Sequence, residues 1–96
     1  MTIELGNVFL TSEHATELQY YRDSLLLERQ HIEKNVTQRQ LQVLTLLDKG
    51  HTNKVISEYM NISESTVKVH VSALMGLLNA NNRTHCVAIA RRLKLI

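Results

Sequence analysis

With 96 residues, 44% of them apolar, 21% charged and a net charge of +2, the chain has room for one small domain and an appendage. No apolar run approaches the roughly 20 residues needed to cross a bilayer. MTIELGNVFL lacks a basic leader and a cleavage site, and the single cysteine, Cys86, excludes an internal disulfide. A reducing cytoplasm is the expected setting, and the absence of proline suits an almost wholly helical chain.

Residues 1–12 alternate briefly at Ile3, Leu5, Val8 and Leu10, with Gly6-Asn7 between. A lone hairpin is barely stable in water, so an extended or irregular arm is expected here. From about residue 13 to 34 the pattern is helical. Leu18, Tyr21, Leu25 and Ile32 share one stripe, Glu28 breaks it, and Tyr20, Leu26 and Leu27 broaden the apolar surface. Three roles are open to this helix: packing back on its own chain, pairing with a second subunit, or linking to the rest of a larger regulator. The clean heptads are too few for a strict coiled coil. The only plausible joint between this helix and the remainder of the chain is His31 to Val36, which sets a division into 1–35 (arm and amphipathic helix) and 36–96.

Residues 36–96 predict four helices, near 37–49, 53–60, 64–78 and 84–93. Thr37 and Gln40 have the spacing of a capping box, and Thr52 and Ser63 stand where N-caps are needed. A short helix from Thr52 to Met60, the turn Asn61–Ser63 and a longer helix make a helix-turn-helix. Ile56 and Met60 would face the longer helix, and the small Ser57 permits close contact. The expected core is Leu41, Leu44, Leu47, Ile56, Met60, Ile62, Val67, Val71, Leu74, Leu78, Val87 and Ala90. Cys86 is expected as a small buried hydrophobe.

The longer helix carries the most information. Val67, Val71, Leu74 and Leu78 recur at spacings of four, three and four and so share one stripe. Ser65, Lys68, Val69, Ser72 and Gly76 fall opposite, on a stripe without an acidic residue, which suits the DNA major groove. Charge divides the same way. Residues 1–35 hold three basic and six acidic side chains, a net of −3, while residues 36–96 hold eight and three, a net of +5.

The string from Val36 to Leu78, VTQRQLQVLTLLDKGHTNKVISEYMNISESTVKVHVSALMGLL, followed by RTHCVAIARRL, resembles the LuxR-type DNA-binding domain. This is the output module of NarL/FixJ response regulators, and it stands alone in the spore regulator GerE. The likeness covers Val36 to Leu93, with ISESTVKVHVS its strongest element and Gly50, Asn53, Lys54 and Arg83 in matching places. It departs at Gln38 and Gln40, where the family usually has Pro and Glu. Val55 replaces a common acidic residue, and Gly76 a usual Lys or Arg. The resemblance implies an all-α, GerE-like four-helix helix-turn-helix domain, here preceded by an extra helix. It places Lys68, Val69 and Ser72 toward bases and Thr66, Asn53 and Lys54 toward phosphates. Ser65 and His70 join this set by position on the same helix. Family members usually pair through the last helix, which nominates Val87, Ala88, Arg91 and Arg92, and the apolar stripe Leu18, Tyr21, Leu25 and Ile32 is the candidate second dimer-forming element.

The five histidines form no His-x-x-x-His pair, no Cys-x-x-Cys occurs, and no nucleophile stands with a base, so neither metal nor cofactor nor enzyme chemistry is expected. The expectation is a sequence-specific regulator on double-stranded DNA, nucleoid-associated, acting as a homodimer on an inverted repeat. RNA polymerase or another regulator is a further partner to consider. The alternative is an interaction module that keeps the fold and antagonises another regulator by mixed dimerisation.

Overall fold

A computed structural model describes residues 2–5 and 8–96, with side chains from residue 16 onward. In chain order the elements are β1 (Thr2–Leu5), β2 (Val8–Thr11), α1 (Ser12–Asn35), α2 (Gln38–Asp48), α3 (Asn53–Met60), α4 (Glu64–Leu77) and α5 (Arg83–Arg92). The fold class is all-α, a four-helix helix-turn-helix unit with an extra helix ahead of it. No helix among the described residues is long and apolar enough to cross a membrane.

The arm departs from expectation. Thr2–Leu5 and Val8–Thr11 pair as antiparallel strands, with Leu5 opposite Val8. The Gly6-Asn7 interruption lies outside the described residues. The case against a hairpin holds for one standing alone, whereas both strands here contact α1.

Each helix from α2 onward is bounded by local chemistry. Gln40 N–H donates to Thr37 Oγ1 at 3.1 Å and Thr37 N–H donates to Gln40 Oε1 at 2.9 Å, the anticipated capping box. Thr52, Ser63 and Asn82 cap the other three starts, accepting from Val55, Thr66 and His85. Every one of these helices then ends on a left-handed residue: Gly50, Asn61, Asn79 or Lys94. The next N–H reaches back in each case, from His51 to Leu46 O, Ile62 to Ser57 O, Ala80 to Met75 O and Leu95 to Ala90 O. This pairing occupies carbonyls that a helix end would otherwise leave open.

The stops also aim the helices. α4 packs on α2, α3 and α5, and Val67, Val71, Leu74 and Leu78 are all buried. Leu44, Ile56, Val43 and Cys86 fill the space they enclose, and the expected core is buried or packed against it throughout. Val43, Ile89 and Leu93 extend that core. Val43 escaped the periodicity because α2 meets both α4 and α5, which buries more than one narrow stripe. Burial pushes the Cys86 thiol pKa above its ordinary value, because the site disfavours thiolate.

α1 joins this core only toward its C-terminal end. Ile32 is 2% exposed among the core residues and Leu25 is partly buried against them. Ile32 is therefore a core residue of its own chain, which corrects its place among the dimer-forming candidates. Nearby, Arg92 on α5 pairs with Glu28 at 3.5 Å. The molecule measures 58 × 24 × 21 Å, consistent with a helix about 36 Å long that extends beyond the four-helix unit. Tyr20, Tyr21, Leu26 and Leu27 are exposed along it.

Candidate nucleic-acid interface

Burial of one stripe of α4 dictates what the other presents. Ser65, Lys68, Val69, Ser72 and Gly76 are all exposed, and Val69 keeps 66% of its surface in solvent. A β-branched apolar side chain left that open on a small folded unit has gained nothing from the core. Lys68 has no ion-pair partner among the described residues. Beyond Ser72, a Cβ at Gly76 would meet no heavy atom of a neighbouring element within 4 Å. Thr66 and His70 are half-buried at the margins of the stripe.

The α4 start is tied by hydroxyls. Thr66 N–H donates to Ser63 Oγ at 3.1 Å, and the Ser63 and Thr66 hydroxyls lie 2.9 Å apart. Thr66 keeps its proton for an outside acceptor only when the Ser63 hydroxyl is the donor between them.

The α3 start holds the other candidate contacts, on a helix packed against α4. Thr52 Oγ1 accepts from Val55 N–H at 3.3 Å, and the first turn holds no acidic residue. A helix start of this kind favours negative charge. Lys54 is exposed, and its carbonyl accepts from the buried Ser57 hydroxyl at 2.6 Å, which explains how a polar residue sits at that helix contact. Asn53 is half-buried. Its Oδ1 accepts from Arg83 Nη1 at 2.6 Å, and Arg83 Nη2 donates to the His51 carbonyl at 3.1 Å.

On α5, Ala88 is exposed and Val87 is half-buried against the core. Arg91 is committed to its own chain at one end, pairing with Asp48 at 2.6 Å while its side chain stays 64% exposed. Sequence reasoning missed the Asn82 cap and the part played by Arg83. Asn82 was legible as an amide just ahead of RTHCVAIA. The contacts of Arg83 span 30 residues or more of chain, and no local pattern carries them. Among the described residues no three His, Cys, Asp or Glu side chains gather as a metal site.

The profile of the luxR family of bacterial regulatory proteins matches residues 34–90. The chain belongs to this family. The family is one of bacterial regulatory proteins, and the relatives that the chain matches include transcriptional regulators. It is 44% identical over 55 residues to the glycerol metabolism activator of Pseudomonas putida, covering 57% of this chain and 25% of that protein. The transcriptional regulatory protein DegU of Brevibacillus brevis is 44% identical over 52 residues, 54% of this chain and 22% of DegU. The likeness to the transcriptional regulatory protein LnrK of Bacillus subtilis is 32% over 99 residues, 96% of this chain and 45% of LnrK. The chain thus spans between about a quarter and a half of these relatives. In structure it is similar to the transcription factor GerE, with a TM-score of 0.59, 30% identity, and coverage of 62% of this chain and 88% of GerE.

Proposed function

We propose that the chain binds double-stranded DNA sequence-specifically by laying α4 in the major groove, as a homodimer on an inverted repeat. The observation that carries this is the exposed, acid-free stripe of α4, supported by the uncompensated start of α3, the helix packed against it. Lys68 donates to guanine O6 or N7, Val69 meets a thymine methyl, and Ser72 bonds a base edge or the backbone, with Ser65 and His70 flanking them. Thr66, Asn53 and Lys54 hold phosphates. RNA polymerase or a second regulator is a downstream partner, and the nucleoid of the cytoplasm is the place of action.

Fluorescence polarisation on genomic fragments tests the assignment. Val69→Ala shifts sequence preference. Lys54→Ala weakens all duplexes alike and lowers the log–log salt slope by about 0.9. An unchanged slope in Lys54→Ala would remove it from the phosphate set. A chain that binds no duplex but pairs with another regulator would favour the mixed-dimer alternative.

Two-fold pairing fits a reader of this size, because a single module buries only about 600–1,000 Å² on DNA. Leu18 and Tyr21, with the exposed Tyr20, Leu26 and Leu27, form the pairing face on α1. Val87, Ala88 and Arg91 form the second face on α5. Leu25 contributes only the part of its surface that the core leaves open. Removing residues 1–34 would also remove Ile32 from the core, so point changes are the better probe. Sedimentation of the full chain should show a dimer that Tyr21→Gln with Leu27→Gln converts to monomer. A wild-type monomer at micromolar concentration would overturn the pairing.

A further inference from the structure

We propose that Arg83 is a positioning residue for DNA binding, acting through Asn53. This rests on the DNA-binding reading and concerns a residue outside its contact set. The geometry is specific. One guanidinium donates to Asn53 Oδ1 at 2.6 Å and to the His51 carbonyl at 3.1 Å. It thereby ties the first residue of α5 to the first residue of α3 and to the turn before it.

The chemistry of the two groups determines what this does. Guanidinium has donors and no acceptor, so it can take only the oxygen of a carboxamide. With Oδ1 occupied, the two amino hydrogens are what Asn53 has left to present, and a phosphate oxygen accepts only. A free asparagine samples both flips and presents its oxygen to the phosphate in one of them. The Arg83 contact removes that flip. It does so by charge-assisted bonds, which are shorter and stronger than neutral ones. Among the described residues no carboxylate pairs with Arg83, so its charge also adds to the uncompensated start of α3. Lysine cannot replace it. An ammonium is a point donor on a flexible stem and cannot hold the amide and the carbonyl in one plane. The same bridge makes α5, the candidate pairing helix, part of the support for the phosphate contact.

A double-mutant cycle on the full chain tests this, using a mixed-sequence duplex as probe and measuring affinity across a salt series. Asn53→Ala should weaken binding about ten- to a hundredfold, the loss of one hydrogen bond to a charged group, and Arg83→Lys by a smaller factor, because the freed amide still meets the phosphate in one of its two flips. Together they should be no worse than Asn53→Ala alone, because Arg83 acts through Asn53. The salt slope should stay at the wild-type value in both single variants, since no cation is lost. Arg83→Gln should lose somewhat more than Arg83→Lys, because it also removes the positive charge near the start of α3. Circular dichroism at the assay temperature confirms that each variant is folded, and Asn53→Asp, which retains an oxygen for Arg83, guards against a simple folding defect. That variant should be as stable as wild type yet bind less tightly than Asn53→Ala. Additive losses across the cycle overturn the proposal, as does a slope that falls by about 0.9 in Arg83→Gln, which would make Arg83 a phosphate ligand itself. A wild-type chain that binds no duplex at any salt overturns the DNA-binding reading first, and the proposal with it.

Discussion

α1 and α4 look alike as sequence and behave differently as structure. Both carry an apolar stripe at helical spacing. In α4 the whole stripe, Val67, Val71, Leu74 and Leu78, is buried, because three other helices close over it. In α1 the stripe enters the core only toward its C-terminal end, at Ile32 and in part at Leu25, while Leu18 is half-buried and Tyr21 on the same stripe remains 56% exposed. Periodicity therefore shows that a helix has a face to bury. Chain topology decides how much of that face its own molecule can cover. α4 sits between short, well-stopped neighbours, whereas α1 outruns the unit it joins.

The contrast is broken most directly by removing one apolar side chain from each helix. Leu74→Ala leaves a cavity in a fully enclosed site and should cost about 2–5 kcal/mol. Leu27→Ala, at a site 66% exposed, should stay within about 0.5 kcal/mol in the monomeric chain. Urea melts read by circular dichroism give both values. A Leu27→Ala chain that loses stability as Leu74→Ala does, and does so in proportion to protein concentration, would show the α1 face covered by a second copy.

The sequence made the helix-turn-helix legible because its signals are local. Caps three residues from their N–H donors and a stripe at 67, 71, 74 and 78 all act within a few residues of chain. The exposed stripe of α4 followed from the buried one. What escaped was non-local. Ile32 lies on a stripe that periodicity leaves free to pack on its own chain or on another, and only the assembled core decides between them. The hairpin is paired where α1 lies against it, a long-range context the local pattern does not contain. Arg83 and Asn53 are 30 residues apart, and only the packing of α5 beside the turn before α3 brings them together.

Ile32 provides the next, smaller effect. It is enclosed, but by one end of a helix, so the site can relax more than the centre of α4. Ile32→Ala should cost near the lower end of the range for such changes, about 2 kcal/mol. The loss should be local. Hydrogen exchange should quicken through α1 while the amides of α4 keep most of their protection, because α1 can detach without opening the four-helix core. Uniform acceleration in both helices would mean that α1 and the core unfold as one unit, and the distinction between them would fail.

The smallest effect sharpens the comparison from the α4 side. Gly76 lies inside α4 on the exposed stripe, where a Cβ meets nothing within 4 Å. Its backbone φ is not in the left-handed region, so glycine is not required there. Gly76→Ala should stabilise the fold by about 0.5–1 kcal/mol, through the freedom that glycine retains in the unfolded chain. Gly76→Lys should gain somewhat less from helix propensity and add a cation on the face assigned to DNA. Its salt slope should then rise by about 0.9 if the new ammonium reaches a phosphate. A stabilised Gly76→Lys chain with an unchanged slope would place the end of α4 away from the DNA backbone, and the contact surface would end near Ser72. A destabilised Gly76→Ala chain would mean that something packs closely on this face, and the openness of the α4 stripe, the basis of its contrast with α1, would be lost.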